Sequence, residues 1–362
     1  RTSRVTLIAT VLVAEGGLAP DHPRDVNRYD IQPIGYDAPE TVIACYSSHM
    51  KSGASASDLS RRWLEAQEIR DDAQVLPAGW NFILGGDFNI PESTENAYQE
   101  LVGPQANNSG RFYDPIATPG TWQNQFSKRF VHSQDPIGSG GMDDRFDQLL
   151  ISFGLRDGTG LEYIGNTAIP FSTSTWNDPN HSYRTWGNDG TSYNTSLSTN
   201  GNTMVGQSIA VALRNSANGS GHLPVYLDLR LPAEIDVVAA LDFGTVEVGS
   251  VAEETLTVTN AGDVALWSAD GIDDLDYGFQ STAGVTVPAG SFTDAPGGGG
   301  NDHVVGMDTS TVGPFNGLIA IASNSADDPQ RFVTISGEVV EASGCAEDLD
   351  ASGDVGFSDV LV

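Results

Sequence analysis

Four short polar strings stand in a fixed order in the first part of this chain, each at an end of a strand-like apolar run. They are Ser48-His49-Met50-Lys51-Ser52, Gly86-Asp87-Phe88-Asn89, Arg145-Phe146-Asp147 and Ser220-Gly221-His222-Leu223-Pro224. A sequence patterned this way predicts a sheet that presents carboxylate, amide and imidazole groups along one rim, as a β-sheet scaffold can present phosphodiester-cleaving groups. The runs themselves are short. Val5 to Val13, Thr41 to Tyr46, Asn81 to Gly85, Gln148 to Ile151 and Leu223 to Leu229 read as strands. Between two of them, Asp58 to Leu76 carries Leu59, Trp63, Ala66, Ile69 and Ala73 at helical spacing, with Ser57 or Asp58 as the cap and Pro77 as the stop. Alternation of strand and helix predicts an α/β layered fold for residues 1–232.

The texture changes after Leu231-Pro232-Ala233-Glu234. Residues 235–340 alternate with a period of two and show no helical periodicity, which predicts an all-β sandwich of about 100 residues. Leu256 to Gly262 and Arg331 to Gly337 are strands, and Gly297 to Gly300 punctuates a long hairpin loop. Residues 345–362 hold a third segment. There Asp348, Asp350, Ser352, Asp354 and Asp359 take loop positions 1, 3, 5, 7 and 12 of a calcium loop, with Gly353 at the sharp turn. Position 7 needs only a backbone carbonyl.

Charge follows the same division. The net charge of −31 is carried mainly by the tail, because from Leu231 onward Arg331 is the single basic residue against 23 acidic ones. The chain has two lysines, Lys51 and Lys128, which argues against a broad basic face gripping many phosphates. No stretch approaches the roughly 20 apolar residues of a membrane span. Both ends read as cut, the first inside a strand and the last inside an apolar run. Cys45 reads as a buried thiol in a strand, with Cys345 in another domain.

All four strings suggest roles. Gly85-Gly86 permits a tight backbone turn, so Asp87 and Asn89 emerge together at a strand end, where a carboxylate can hold a divalent ion or orient water and an amide can donate to phosphate. Asp147 and His222 sit at strand starts and are predicted to meet, the carboxylate fixing the imidazole tautomer and leaving the other nitrogen to move protons. His49, Lys51 and Ser52 place donors and a cation beside the same rim. His22, His132, His181 and His303 read as packed or surface residues. The stretch Trp176 to Asp189, with Arg184, reads either as a loop that recognises a substrate head group or as a structural flap.

With these strings in order, residues 1–230 resemble the endonuclease/exonuclease/phosphatase superfamily. Gly86-Asp87-Phe88-Asn89 is the most specific element. Arg145-Phe146-Asp147 is similar to the family's Arg-x-Asp, and Trp122, after Gly120-Thr121, resembles a Thr-Trp pair that precedes that strand. The resemblance implies a two-sheet α/β sandwich, deoxyribonuclease-like and N-terminally truncated, that hydrolyses phosphoesters with magnesium or manganese by direct attack of water. It implies that His222 is the essential histidine, Asp147 its orienting carboxylate, Asp87 and Asn89 the pair positioning water and phosphate, and His49 the second histidine of some branches. Lys51, Ser52 and Arg184 would bind substrate, either a nucleic acid or a phospholipid head group. Asp87 would be a magnesium ligand, the family's metal-binding Glu and an early Asn lying on strands upstream. The family's Ser-Asp-His is Ser220-Gly221-His222 here, so a carboxylate is missing at Gly221, which weakens that metal site. The alternative is a decayed phosphoesterase-like domain that serves as a surface or adhesion module.

The middle domain, through Leu241 to Ser250 and Thr257 to Gly262, resembles immunoglobulin-like modules of the ASPM/SPD-2/hydin type. The terminal loop resembles the first half of a type I dockerin repeat. Together these imply a secreted or cell-surface bacterial protein with a cohesin-like or cell-surface partner.

Overall fold

The computed structural model describes residues 3–138, 140–216 and 221–342, so the calcium-loop residues Asp348, Asp350, Ser352, Asp354 and Asp359, with Cys345 and Ser220, lie outside the described residues. The chain forms two compact units. The first comprises Arg1–Pro232 with Ala265–Ile272, and the second Ala233–Val264 with Asp273–Val362. The fold is sheet-rich α/β.

The first unit is built on one five-stranded sheet in chain order: β1 (Val5–Ala14), β2 (Val26–Pro33), β3 (Ile43–His49), β4 (Asn81–Asp87) and β5 (Asp147–Ile151). Only β3 and β4 run parallel, because the helix α1 (Ala56–Gln74) carries the chain back between them. Side chains alternate between two faces. Ala44, Tyr46, Phe82, Leu84 and Leu150 pack with Ala66, Ile69 and Ala73 of α1 and with Ala97, Tyr98 and Leu101 of α2 (Asn96–Val102). Ile43, Cys45, Ile83, Leu149 and Ile151 take the opposite face and join Tyr163, Phe171 and Tyr183.

That second face is covered by short antiparallel pieces. After β6 (Glu162–Tyr163) and β7 (Arg184–Thr185), the helix α3 (Gly206–Ser216) leads into β8 (Val225–Tyr226) and β9 (Leu229–Arg230). Strand β6 pairs with β9, β7 pairs with β8, and a single bridge joins Gly165 to His181. The one strand expected over Leu223 to Leu229 is therefore two. At the break the Asp228 carbonyl accepts from Ile164 N–H at 2.9 Å, and Asp228 N–H donates to the Ser182 hydroxyl at 3.0 Å. Those bonds turn the chain from one partner strand to the other.

Helix α1 also differs from its expected start. Its cap is Ser55, whose hydroxyl accepts from Asp58 N–H at 3.2 Å while the Asp58 carboxylate accepts from Ser55 N–H at 3.1 Å. Asp58 is thus the third helical residue rather than the cap. Leu59 and Trp63 are exposed, and Arg62 and Glu65 are buried instead. The first turns of the helix lie over backbone carbonyls of the 51–53 loop, which need donors rather than apolar cover.

The second unit contains two sheets. One orders β10 (Ile235–Val237), β12 (Glu253–Asn260), β16 (Asn301–Met307) and β14 (Val285–Thr286). The other orders β11 (Ala240–Glu247), β18 (Gln330–Val340), β17 (Gly313–Ser323), β13 (Leu275–Ser281) and β15 (Ser291–Asp294). Alternate residues from both, among them Leu256, Val258, Val305, Ile319, Ile321 and Val333, form one apolar core. No helix of the described residues is long and apolar enough to cross a membrane.

Candidate functional site

The ends of β3, β4 and β5 meet in register. His49 is the strand partner of Asp87, and Asp87 is the strand partner of Asp147. All three alternate onto the face shared by Cys45, Ile83 and Leu149, so the pleat brings an imidazole and two carboxylates into one row. His49 Nε2 lies 3.3 Å from Asp87 Oδ2.

His222 completes the row from a distant part of the chain. Its Nδ1 lies 2.7 Å from Asp147 Oδ2, and its Nε2 lies 4.0 Å from Asp87 Oδ2. A segment unnoticed in the sequence makes this possible. Gln134 bridges His222, Leu223 N–H donates to the Ser133 carbonyl at 2.8 Å, and the Ser133 hydroxyl donates to Asp147 Oδ2 at 2.6 Å. Ser133 lies in no periodic run, so only its contacts reveal it.

Backbone geometry fixes Asp87. Gly86 has φ +147°, and a Cβ there would stand 1.8 Å from the Ser48 carbonyl oxygen, so no side chain fits. Asn89 adopts φ +52°, which turns its backbone N–H onto Asp87 Oδ1 at 2.9 Å and its side-chain amide onto Oδ2 at 3.0 Å. The same amide reaches the Met50 carbonyl at 3.1 Å. Arg24, also unremarked in the sequence, donates Nη1 to the carbonyls of His49 at 3.1 Å and Met50 at 3.3 Å. It comes from the connection between β1 and β2, a stretch without periodic signal.

The environment pushes the titrating groups apart. The hydrogen bond that His222 donates to Asp147 raises the His222 pKa against the opposing effect of burial, and Asp87 and Asp135 add to the rise. Burial lowers His49 despite Asp87. Burial and the neighbouring Asp147 raise the Asp87 carboxyl. Asp144, buried near Asp143 and Asp135, is pushed up to about 7, chiefly by burial.

Other expected site residues are engaged elsewhere. Lys51 pairs with Asp58 at 3.1 Å, beside the cap of α1. Ser52 is exposed in the same loop, and its carbonyl accepts from Lys51. Arg184 donates to the carbonyls of Asp178, His181 and Tyr183 and to Asn177 Oδ1, which ties it to its own loop. Arg145 is fully buried in a two-pronged pair with Asp114 at 2.9 Å, beside the rings of Trp122 and Tyr183. Trp122 is equally buried, edge-on to Tyr98. Both pack beneath the site rather than line it. His22, His132, His181 and His303 are all buried.

A magnesium ion finds few ligands here. Asp87 accepts from Asn89 at each oxygen, Asp147 Oδ2 serves His222 and Ser133, and Gly221 offers no carboxylate to add to them. Among the described residues no group of three or more His, Cys, Asp or Glu is placed to hold a metal. The residues present do not fit the ion by themselves.

No family model matches the chain, and no curated protein matches it. Among solved structures, the catalytic domain of human Nocturnin with a bound sulfate anion is 13% identical over 44% of this chain and 51% of its own, with a TM-score of 0.29. TDP2 of D. rerio, humanised by 14 mutations, is 12% identical over 45% of this chain and 55% of its own, with a TM-score of 0.27. The chain thus spans about half the length of each. A PapD-like domain of human CEP192 is 16% identical over 30% of this chain and 86% of its own, with a TM-score of 0.24. Likeness at this level leaves function to be argued from the site.

Proposed function

We propose that the first unit is a phosphodiester hydrolase of the endonuclease/exonuclease/phosphatase type, acting by direct attack of water. One observation carries the reading: His222, oriented through Nδ1 by Asp147, turns Nε2 toward Asp87 in a row that also contains His49. The raised pKa of His222 fits it to hold a proton in this row. His222, raised, gives its proton to the leaving oxygen as the P–O bond to it breaks, while Asp87, steadied by Asn89, takes the proton that the attacking water loses as its oxygen bonds to phosphorus. His49, whose Nε2 lies against Asp87, stands beside the place the phosphate would take. No step is assigned to a metal. The fold that suits this role is a two-layer α/β sandwich, followed by an immunoglobulin-like module in a secreted or cell-surface bacterial protein.

The test is hydrolysis of DNA, RNA, sphingomyelin and a simple aryl phosphodiester by the chain, with magnesium or manganese and with chelator, beside His222→Ala. Turnover that disappears in the variant supports the mechanism, and turnover that survives it overturns it. The lack of a carboxylate at Gly221 favours a second reading, a decayed domain acting as a surface module. Silence on every substrate with folded protein would support that reading. For the tail, calcium-dependent folding of residues 345–362 within the full chain would support a docking loop of dockerin type.

A further inference from the structure

Behind the polar row, on the opposite face of β3, a buried carboxylate is used by no step proposed above. Glu65 of α1 is fully buried, and the Ser48 hydroxyl donates to its Oε1 at 2.6 Å. Its Oε2 is buried without a hydrogen-bond partner. A buried carboxylate oxygen without a partner costs stability. Ser48 is a junction: its side chain points to α1, its carbonyl presses on Gly86, and the next residue is His49. Movement of Ser48 therefore moves both strand ends that form the His49–Asp87 contact.

We propose that Glu65 is a positioning residue which, through Ser48, sets the orientation of His49 against Asp87. This rests on the phosphodiesterase reading only for its effect on turnover. A neighbouring anchor acts on the same segment. Arg62, one turn earlier in α1, donates to the carbonyls of Lys51 and Gly53 and is held by Glu95 at 2.6 and 2.9 Å. Helix α1 thus grips the chain on both sides of His49. Around Glu65 stand Glu68 and Arg61 from α1, Ser48 from β3 and Arg24 from the β1–β2 connection, where His22 also lies 3.0 Å from Glu68. Burial, with Glu68 adding to it, pushes the Glu65 carboxyl up to about 7, so the anchor changes protonation near neutral pH.

The experiment records the ring signals of His49 by NMR at one fixed pH in the full chain, in wild type, Ser48→Ala, Glu65→Ala and Glu65→Gln. In Ser48→Ala and Glu65→Ala the His49 ring shifts are expected to leave their wild-type positions as the ring moves off Asp87. Glu65→Gln keeps an acceptor for Ser48 and is expected to retain the wild-type ring shifts. Unchanged His49 ring shifts in Ser48→Ala, or displaced ones in Glu65→Gln, overturn the proposal. If Glu65→Ala does not fold, the smaller Ser48→Ala change carries the test with Glu65→Gln. The ring shifts need no turnover, so a chain that hydrolyses nothing still decides it. Where turnover is seen, Ser48→Ala is expected to lower kcat about tenfold with KM unchanged, as misorientation of a reacting group does.

Discussion

Asp147 Oδ2 stands 2.7 Å from His222 Nδ1, joining two residues that are 75 positions apart in the chain. The contact selects which imidazole nitrogen is free. With Nδ1 committed, Nε2 is the atom that can exchange a proton in the row, and the adjacent carboxylate stabilises the charged ring.

If that pairing drives hydrolysis, His222→Ala should lower kcat/KM by about 10²–10⁴-fold, the usual worth of a general acid or base. Asp147→Asn should leave the ring in place but remove the main cause of its raised pKa. The limb of the pH–rate profile that reports His222 should then move to lower pH, and an unmoved limb would dissociate Asp147 from His222.

The same pair links pH to stability. The folded pKa of His222 is raised, so its contribution is fully present below the unfolded value and is lost as pH rises through the folded one. Denaturant unfolding of wild type and His222→Gln should show a stability difference that shrinks on going from mildly acidic to alkaline buffer.

His132 has the opposite sign. It is fully buried with Nδ1 3.3 Å from the Met142 carbonyl, and burial lowers its pKa from 6.5 to about 4. The native state therefore binds fewer protons than the unfolded chain between those values, and this group makes stability fall as pH drops through that window. Two and a half units correspond to about 3 kcal/mol. His132→Gln should flatten that part of the slope in urea titrations, against a background in which Glu65 and Asp144, both raised to about 7, act in the other direction.

Gly86→Ala should disrupt the site more than its one methyl suggests. The added Cβ meets a backbone carbonyl rather than a flexible side chain, so β3 and β4 must separate at their ends. A loss of about 2–3 kcal/mol is expected from overpacking and backbone strain. Loss of the His49–Asp87 contact should follow, visible as a change in the His49 NMR titration.

Arg145 tests the support beneath the row. Breaking its buried pair with Asp114 leaves an uncompensated charge, at a cost of about 3–5 kcal/mol. Arg145→Met should be strongly destabilised in chemical denaturation, and Arg145→Met with Asp114→Asn should recover part of the loss. Equal stability of the single and double variants would show that the buried charge is not the cause.

The polar strings were legible because strand alternation is local. Apolar residues of β3, β4 and β5 mark the core faces, and the next residues, His49 and Asp87, emerge at strand ends for the same reason. The helix over Asp58 to Leu76 is legible by its apolar period, but Leu59 and Trp63 of that period are exposed while Arg62 and Glu65 are buried. Periodicity cannot register that this face meets unpaired carbonyls. Lys51 and Arg184 were plausible by charge alone, yet nearer partners hold them. Ser133 and Arg24 gave no signal, since their partners are set by chain segments that meet only in three dimensions.

By itself, then, the sequence determined the apolar cores of β1, β3, β4 and β5, the change of texture near Pro232 and the chemical types available at one rim, because these follow from local pattern. Only the tertiary structure decided that His49, Asp87 and Asp147 share a register row, that Ser133 brings His222 to Asp147, and that Glu65 lies behind Ser48. Those relations depend on strand register and on helix packing, where a shift of one residue would send each side chain to the other face.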